Sequence, residues 1–547
     1  MIRSRRAARA WLIAVPLTLA LPRPTFAADA VRHWVATADG NWSDVDRWDA
    51  PPVPNNGSGG LTYHAILDAA GPAYAVNLNT PVTLDALTLD STAATLRVSD
   101  ALQVLASPID VRGGTLLLDG GTVRGGSVTF AGSGTLAISA AQDNRLTDGA
   151  IVHGDVNLSR AGARVLFQNG AWFTGDAHFT GGGATILGVA HDRTLGPGQT
   201  VHLDAPSAVF SIEGGSTLTV AAGAVVRGQG IIYNGTLGGG PAGRPTLVNF
   251  GRISADVSGA ELRASPDTFI NHGLIEATSG ARLNFFAGVH NDTGGRLRAA
   301  GGAKLRIDAL SGALNDTTID GAGTVARLNG AGFAFNRDVR VPRGAMLVLS
   351  GTWVLDAALD VGGRVVVDHL PGASPIDAVR AELIAGRNGG TWDGPAGIRS
   401  ADASAAPGTA LGYVASAELF PLGGTWGGEP VDESAVLIAH VRLGDTNLDG
   451  TVNLADFNRL AQRFGSTSGA HWSDGDFDYD GRVDLSDFNL LAANFGLSAA
   501  GPALTPEGWA GLAAVVPEPG VGAVLVLLPL TGLLRRGLRP VRKNSAR

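Results

Sequence analysis

Val248-Asn249-Phe250-Gly251-Arg252-Ile253-Ser254-Ala255 recurs as Ile270-Asn271-His272-Gly273-Leu274-Ile275-Glu276-Ala277, and more loosely from Val289-His290-Asn291 to Arg296-Leu297-Arg298-Ala299. The Asn residues of the three copies are 22 and 20 positions apart. A second element runs between them, Gly259-Ala260-Glu261-Leu262, Gly280-Ala281-Arg282-Leu283 and Gly302-Ala303-Lys304-Leu305, with spacings of 21 and 22. Two interleaved motifs that keep one period, built from strand-sized pieces, read as a solenoid. One turn of such a coil cannot bury its apolar face until neighbours stack on it. Strands pair between turns at ~4.8 Å, so a dozen turns would extend roughly 55–60 Å. Leu262, Leu283 and Leu305 are expected to stack inward as one column, with Asn249, Asn271 and Asn291 as another at a turn. Asn tolerates left-handed backbone there, and stacked amides satisfy one another along the coil.

From about residue 85 to 340 short β-prone runs alternate with Gly, Asn and Asp turns, without helical periodicity. The Gly-Thr-Leu and Gly-Thr-Val units at Gly114, Gly121 and Gly134 look like weaker versions of the same turns. Composition agrees: 78 Gly and 27 Pro in 547 residues, 45% hydrophobic and only 16% charged, is too apolar for a disordered chain and too Gly-rich for helical packing. There is no Cys, which excludes disulfides and a thiol nucleophile. On the periodicity, the body resembles the parallel β-helix passenger domains of bacterial surface and autotransporter-type proteins. Membrane autotransporters also end in a translocating barrel, and this chain has a different end.

The flanks of the repeat differ from it. Residues 28–84 hold Trp34, Asn41-Trp42-Ser43 and Arg47-Trp48, expected to cap the open first turn, since every solenoid must cover its ends; the alternative is an aromatic platform for sugar rings. Residues 341–440, with Trp392 among Gly-rich turns, have lost the repeat and read as a small β module or linker.

The sharpest chemistry lies at 441–498. Asp445, Asn447, Asp449, Asn453 and Asp456 stand at positions 1, 3, 5, 9 and 12 of a loop with Gly450 at 6, and the Thr451 carbonyl falls at 7. Calcium takes six to eight oxygens on a sharply turned loop, which this spacing supplies. A second copy further along the chain offers Asp476, Asp478, Asp480, Arg482 (through its carbonyl), Asp484 and Asp487, with Gly481 at 6. The match continues into expected helices, Asp456-Phe457-Asn458 returning as Asp487-Phe488-Asn489, and both stop at Phe-Gly, Phe464-Gly465 and Phe495-Gly496, where Gly takes the left-handed cap. Nine carboxylates between Asp445 and Asp487 face three Arg, so without a cation they would repel one another and folding should depend on the metal.

Over about 55 residues this pattern resembles a type I dockerin, a small α-helical module of paired EF-hand-like loops. The resemblance implies two calcium ions and a near two-fold pair of loop-helix units. It also implies a cohesin partner. In cellulosomal dockerins, however, positions 10 and 11 carry hydroxyl residues, and here they are Leu454-Ala455 and Leu485-Ser486; the linker with His471-Trp472-Ser473 is also longer. The partner is therefore open between a cohesin-like protein, another surface protein and an intramolecular clamp.

The ends address the chain. Residues 1–27 place Arg3, Arg5, Arg6 and Arg9 before an apolar run from Trp11 to Leu21 and small residues at Ala27 and Ala28, the pattern of a secretory signal peptide. After a linker, 499–515, residues 516–547 give Pro517-Glu518-Pro519, an apolar stretch from Gly520 to Leu534, and a basic terminus. That order resembles the PEP-CTERM sorting signal of exopolysaccharide-associated surface proteins, which implies processing by an exosortase and transient anchoring in the cytoplasmic membrane; an ordinary tail anchor is the alternative. Either places the bulk of the chain at the envelope or outside the cell. Setting aside the eleven cations of the two ends leaves 30 basic against 49 acidic residues, net −19, a charge that phosphate backbones repel and that excludes a nucleic-acid role.

No catalytic set emerges. Asp292, Asp308, Asp316 and Asp320 sit in Gly-rich turns without the paired geometry of a glycosidase, and His153, His178, His191 and His202 are spread without metal-ligand spacing. The expectation is a non-catalytic, exported β-solenoid scaffold or adhesin, associated with extracellular polysaccharide, whose dockerin-like module carries two calcium ions. A polysaccharide hydrolase or lyase on a β-helix is the alternative.

Overall fold

The computed structural model describes residues 28–372 and 374–498, with the backbone of 501–502. The expected signal segment 1–27 and the sorting segment 516–547, with Pro517-Glu518-Pro519, lie outside the described residues. The chain divides into two compact units at Val441.

The first unit is a parallel β-solenoid of about 14 turns, and the chain is mainly β, with 45% strand against 11% helix. Its strands pair turn upon turn. One sheet runs from Ala30–His33 through Tyr63–Leu67, Ala86–Val98 and Ile109–Leu118 to Trp172–Phe173. A second carries Thr246–Asn249, Glu261–Ala264, Arg282–Asn291, Lys304–Leu314, Val325–Phe335 and Met346–Leu355. A third lane stacks Val156–Asn157, Ala177–His178, Thr200–Leu203, Val225–Gly228, Arg252–Ala255, Leu274–Ala277, Arg296–Ala300 and Asp316–Asp320. Nearly every pairing is parallel, as successive turns of one coil require.

The quoted repeat holds the register. Leu262 pairs with Leu283 and Leu283 with Leu305, all buried, so each turn buries one Leu worth about 1.5–3 kcal/mol. Asn249, Asn271 and Asn291 pair in the same way and are buried. Asn249 Nδ2 donates to Asn271 Oδ1 (2.8 Å), Asn271 Nδ2 to Asn291 Oδ1 (2.7 Å), and Asn291 Nδ2 to the Ala313 carbonyl (2.5 Å). The ladder is thus neutral and its amides satisfy one another along the coil, with only Asn249 Oδ1, at its start, left without a partner. The recurrent glycines have two separate reasons. Gly259, Gly280 and Gly302 have φ of 73°, 74° and 76°, which L side chains resist. At Gly251 and Gly273 a Cβ would stand 2.3 Å from a carbonyl oxygen of the preceding turn.

Parallel stacking extends past both ends of the legible repeat, to Ala30–His33 on one side and Arg364–Asp368 on the other. Arg364–Asp368 is then covered by the antiparallel strand Ala435–Arg442, which closes an edge otherwise open to other chains. The region 341–440 also contains a helix, Ile376–Arg387, that burial of Val379 and Leu383 explains and that the sequence pattern did not announce. Trp34, Trp42 and Trp48 pack edge to face, with centroids 5.3 and 4.8 Å apart, and are buried, as is Trp392. Their faces are therefore closed to a sugar ring.

Candidate functional site

The second unit begins just before the paired loops. Each loop leads into a helix, Leu454–Arg463 after the first and Leu485–Asn494 after the second. The residue at position 9, Asn453 or Asp484, is the N-cap, accepting from the N–H of Ala455 or Ser486 (2.7 Å in both). The residue at position 12, Asp456 or Asp487, returns a carboxylate oxygen to the N-cap N–H (2.8 and 3.0 Å), completing a capping box. The second oxygen of that carboxylate reaches back into the loop, where Thr446 N–H and Phe477 N–H donate to it at 2.8 Å. The carboxylate that would close a metal shell is therefore held at both ends by backbone.

The remaining oxygens are set by the same local bonds in both copies. Asp445 accepts from Gly450 N–H (2.9 Å) and Asp476 from Gly481 N–H (3.0 Å). Asn447 accepts from Asp449 N–H (3.0 Å) and Asp478 from Asp480 N–H (3.1 Å); Asp449 accepts from Thr451 N–H (2.9 Å) and Asp480 from Arg482 N–H (2.8 Å). Gly450 and Gly481 take φ of 91° and 84°, and the residues two before them, Leu448 and Tyr479, take 55° and 65°. Two loops thus turn in one geometry, and ligand atoms of Asp476, Asp478 and Asp487 lie within 4.8 Å of one another.

The two copies also lock each other. Val452, at position 8, donates to the Leu497 carbonyl (3.0 Å) and accepts from Gly496 N–H (2.8 Å), just past the second helix. Val483 accepts from Gly465 N–H (2.8 Å) and donates to the Ser466 carbonyl (3.1 Å), just past the first. Gly465 and Gly496 take the left-handed cap, at φ of 89° and 79°. Phe457 meets Phe488, and buried Trp472, in the long linker, donates from Nε1 to the Asp445 carbonyl (2.6 Å). The linker is therefore part of the core of the unit.

Burial is severe for groups of like charge. Asp445, Asp456, Asp476 and Asp487 are all buried. Desolvation, then the neighbouring Asp456 carboxylate, pushes Asp445 up to about 8. Desolvation pushes Asp487 up to about 6, and Asp456 also lies above the usual carboxylate range by burial. A divalent cation coordinated by oxygen reverses both causes, because it supplies opposite charge in place of lost water. The donor set, all oxygen with backbone carbonyls at Thr451 and Arg482, fits a hard ion of the calcium type.

Among the acids considered for catalysis, Asp292 faces His272 (3.3 Å) and Asp308 pairs with Arg306 (2.6 Å), while Asp316 and Asp320 stand on the third lane. The histidines require a correction. His178 and His202, which the sequence separates, pair in register on adjacent turns and stack with centroids 4.5 Å apart at 10°. Asp176 and Asp204 flank them, 3.8 Å from His202 Nε2 and 3.9 Å from His178 Nδ1. The interval between the two histidines in the chain is one turn of the coil, and that was the signal that could have paired them. No family model, curated protein or solved structure matches the chain.

Proposed function

We propose that the chain is a non-catalytic, exported β-solenoid, a scaffold or adhesin of the cell envelope or extracellular polysaccharide, joined to a dockerin-like module that two calcium ions hold together. The observation that carries this reading is the shared bonding pattern of the two loops, whose buried carboxylates are crowded together and aimed by equivalent backbone N–H groups in each copy. Asp445, Asn447, Asp449, Asn453 and Asp456, with the Thr451 carbonyl, would hold one ion. Asp476, Asp478, Asp480, Asp484 and Asp487, with the Arg482 carbonyl, would hold the other. The metal supplies charge neutralisation and a fixed loop shape, and the chain's own contribution is the capping boxes that place position 12.

The partner surface in this reading is the pair of exposed apolar residues at position 10, Leu454 and Leu485, which are 44% and 50% exposed at equivalent places in the two copies. They favour an apolar protein surface, cohesin-like or otherwise, over a hydrogen-bonded one. The Pro517-Glu518-Pro519 tail would be read by an exosortase after export. The deciding experiment is isothermal titration of calcium into chelator-stripped protein. Two sites per chain, one removed by Asp445→Ala and the other by Asp476→Ala, support the reading; binding that survives both substitutions overturns it. Release of reducing or unsaturated sugar ends from a polysaccharide panel, abolished by substituting solenoid carboxylates, would instead establish the enzyme.

A further inference from the structure

We propose that Asp176, His178 and His202 form a binding site for a divalent transition-metal ion of the zinc type on the outer face of the solenoid, with Asp204 beside His178, separate from the calcium module. Parallel strands on successive turns put residues of the same register ~4.8 Å apart, which brings one imidazole above the other. Ala177–His178 and Thr200–Leu203 do this for His178 and His202, leaving the rings stacked and partly exposed. Asp176 precedes the first His by two residues and Asp204 follows the second by two, so both carboxylates lie on the same face as the rings and at diagonal corners.

The distances distinguish this set from ordinary His–Asp hydrogen bonds. The gaps of 3.8 and 3.9 Å are too long for a hydrogen bond. Two zinc bonds of ~2.0–2.1 Å meeting at a tetrahedral angle span about 3.3 Å, so Asp176 and His202 need close by only about half an ångström to share one ion. A nitrogen of each ring and a carboxylate oxygen of Asp176 already lie within 4.8 Å of one another. Asp176 is also aimed: its Oδ1 accepts from Thr200 N–H (2.7 Å), which leaves Oδ2 as the oxygen facing His202. The next residue in the column, Arg227, directs its guanidinium to Asp256 (2.6 Å), one turn further along, so its charge is engaged elsewhere. Two imidazoles and the Asp176 carboxylate make a three-ligand set that water can complete, Asp204 adds a second negative charge at the far corner, and imidazole nitrogens select zinc, copper or nickel over calcium.

The test uses full-length, untagged protein saturated with calcium, so that the loops at 445–456 and 476–487 are filled, and titrates it with Zn2+ by calorimetry and with Co2+ by visible absorption. One site of micromolar or tighter affinity is expected, with the intense visible bands of four- or five-coordinate Co2+. In the outward-facing double variant His178→Asn/His202→Asn, affinity should fall at least ~100-fold while the far-UV circular dichroism and calcium titration stay unchanged. Asp176→Asn should weaken binding about 10-fold or more. Wild-type affinity weaker than about 1 mM, or zinc binding equal in the double variant, overturns the proposal. Zinc binding that disappears in Asp445→Asn/Asp476→Asn also overturns it, by placing the ion in the calcium loops.

Discussion

The solenoid and the loop module are both built by repetition, yet they gain order from opposite electrostatic designs. In the solenoid each added turn brings its own partners: Leu283 packs between Leu262 and Leu305, and Asn271 both donates and accepts within the column. Neither column carries a charge that an outside agent must offset. In the loop module the two copies bring together groups that repel, Asp445 with Asp456 and Asp487 with Asp478, and the backbone holds them there. Repetition of neutral groups adds no charge, whereas repetition of buried carboxylates builds up charge that, in the proposed reading, a cation offsets.

The largest expected effect follows from that contrast. Removing calcium with a chelator should sharply lower the melting temperature of the 441–498 unit while leaving that of the solenoid unchanged, because a ligand at about 1,000 times its Kd contributes ~4 kcal/mol per site. Two separate transitions by differential scanning calorimetry, of which only one moves with chelator, would make the contrast quantitative; a single transition unaffected by chelator would abolish it. Next, Leu283→Ala should lower the solenoid's stability by about 2–5 kcal/mol, and calcium affinity should not change. Asn271→Ala, which removes one of the two acceptors of the Asn249 amide and strands the Asn291 side-chain oxygen in a buried column, should cost about 1–3 kcal/mol, measured by denaturant titration.

A smaller effect is expected from pH. Asp445 and Asp487 ionise at higher pH in the folded, metal-free unit, about 8 and about 6, than in the unfolded chain, about 3.8. A raised folded value means that the folded form binds protons more tightly, so their contribution is full below pH 4 and is lost as pH rises through 6 and then 8. Chelated protein should therefore melt lower at pH 8 than at pH 5, calcium-loaded protein should not, and calcium binding at pH 6.5 should release protons in buffers of differing ionisation heat. The smallest change in stability, within about 0.5 kcal/mol, is expected for Leu454→Asp/Leu485→Asp, since both side chains are exposed. Retained calcium binding with lost capture of a protein partner would place recognition at those two positions.

Legibility divided differently from stability. The Asn and Leu columns, the turn glycines and the turned geometry of the two loops could be read because each is a relation within one loop or across one nearly constant period. The His178–His202 pair was harder to read, since its one-turn interval is longer than the one that recurs in the middle of the chain. Corner length varies for local reasons. Between Gly230–Asn234 and Thr246–Asn249 the chain makes a longer excursion, anchored on the buried Glu213 carboxylate by the N–H groups of Thr236, Leu237 and Gly238. Leu218 and Leu247 pair across that excursion although they stand further apart in the chain than Leu262 and Leu283 do. Helix Ile376–Arg387 was hidden for a related reason, because its weak amphipathic stripe gains its partner only from the end of the coil.

Backbone geometry converts a repeated interval directly into a shared face, so the order of residues alone was enough to specify the parallel coil, the identity of its inward columns and the spacing of the oxygen donors in both loops. Folding in three dimensions had the final say over which outward residues meet across turns, how far stacking extends into 28–84 and 341–440, and the inward direction of the Trp residues. Those depend on corner lengths and on what covers the open edges, and both are set by packing between segments distant in the chain.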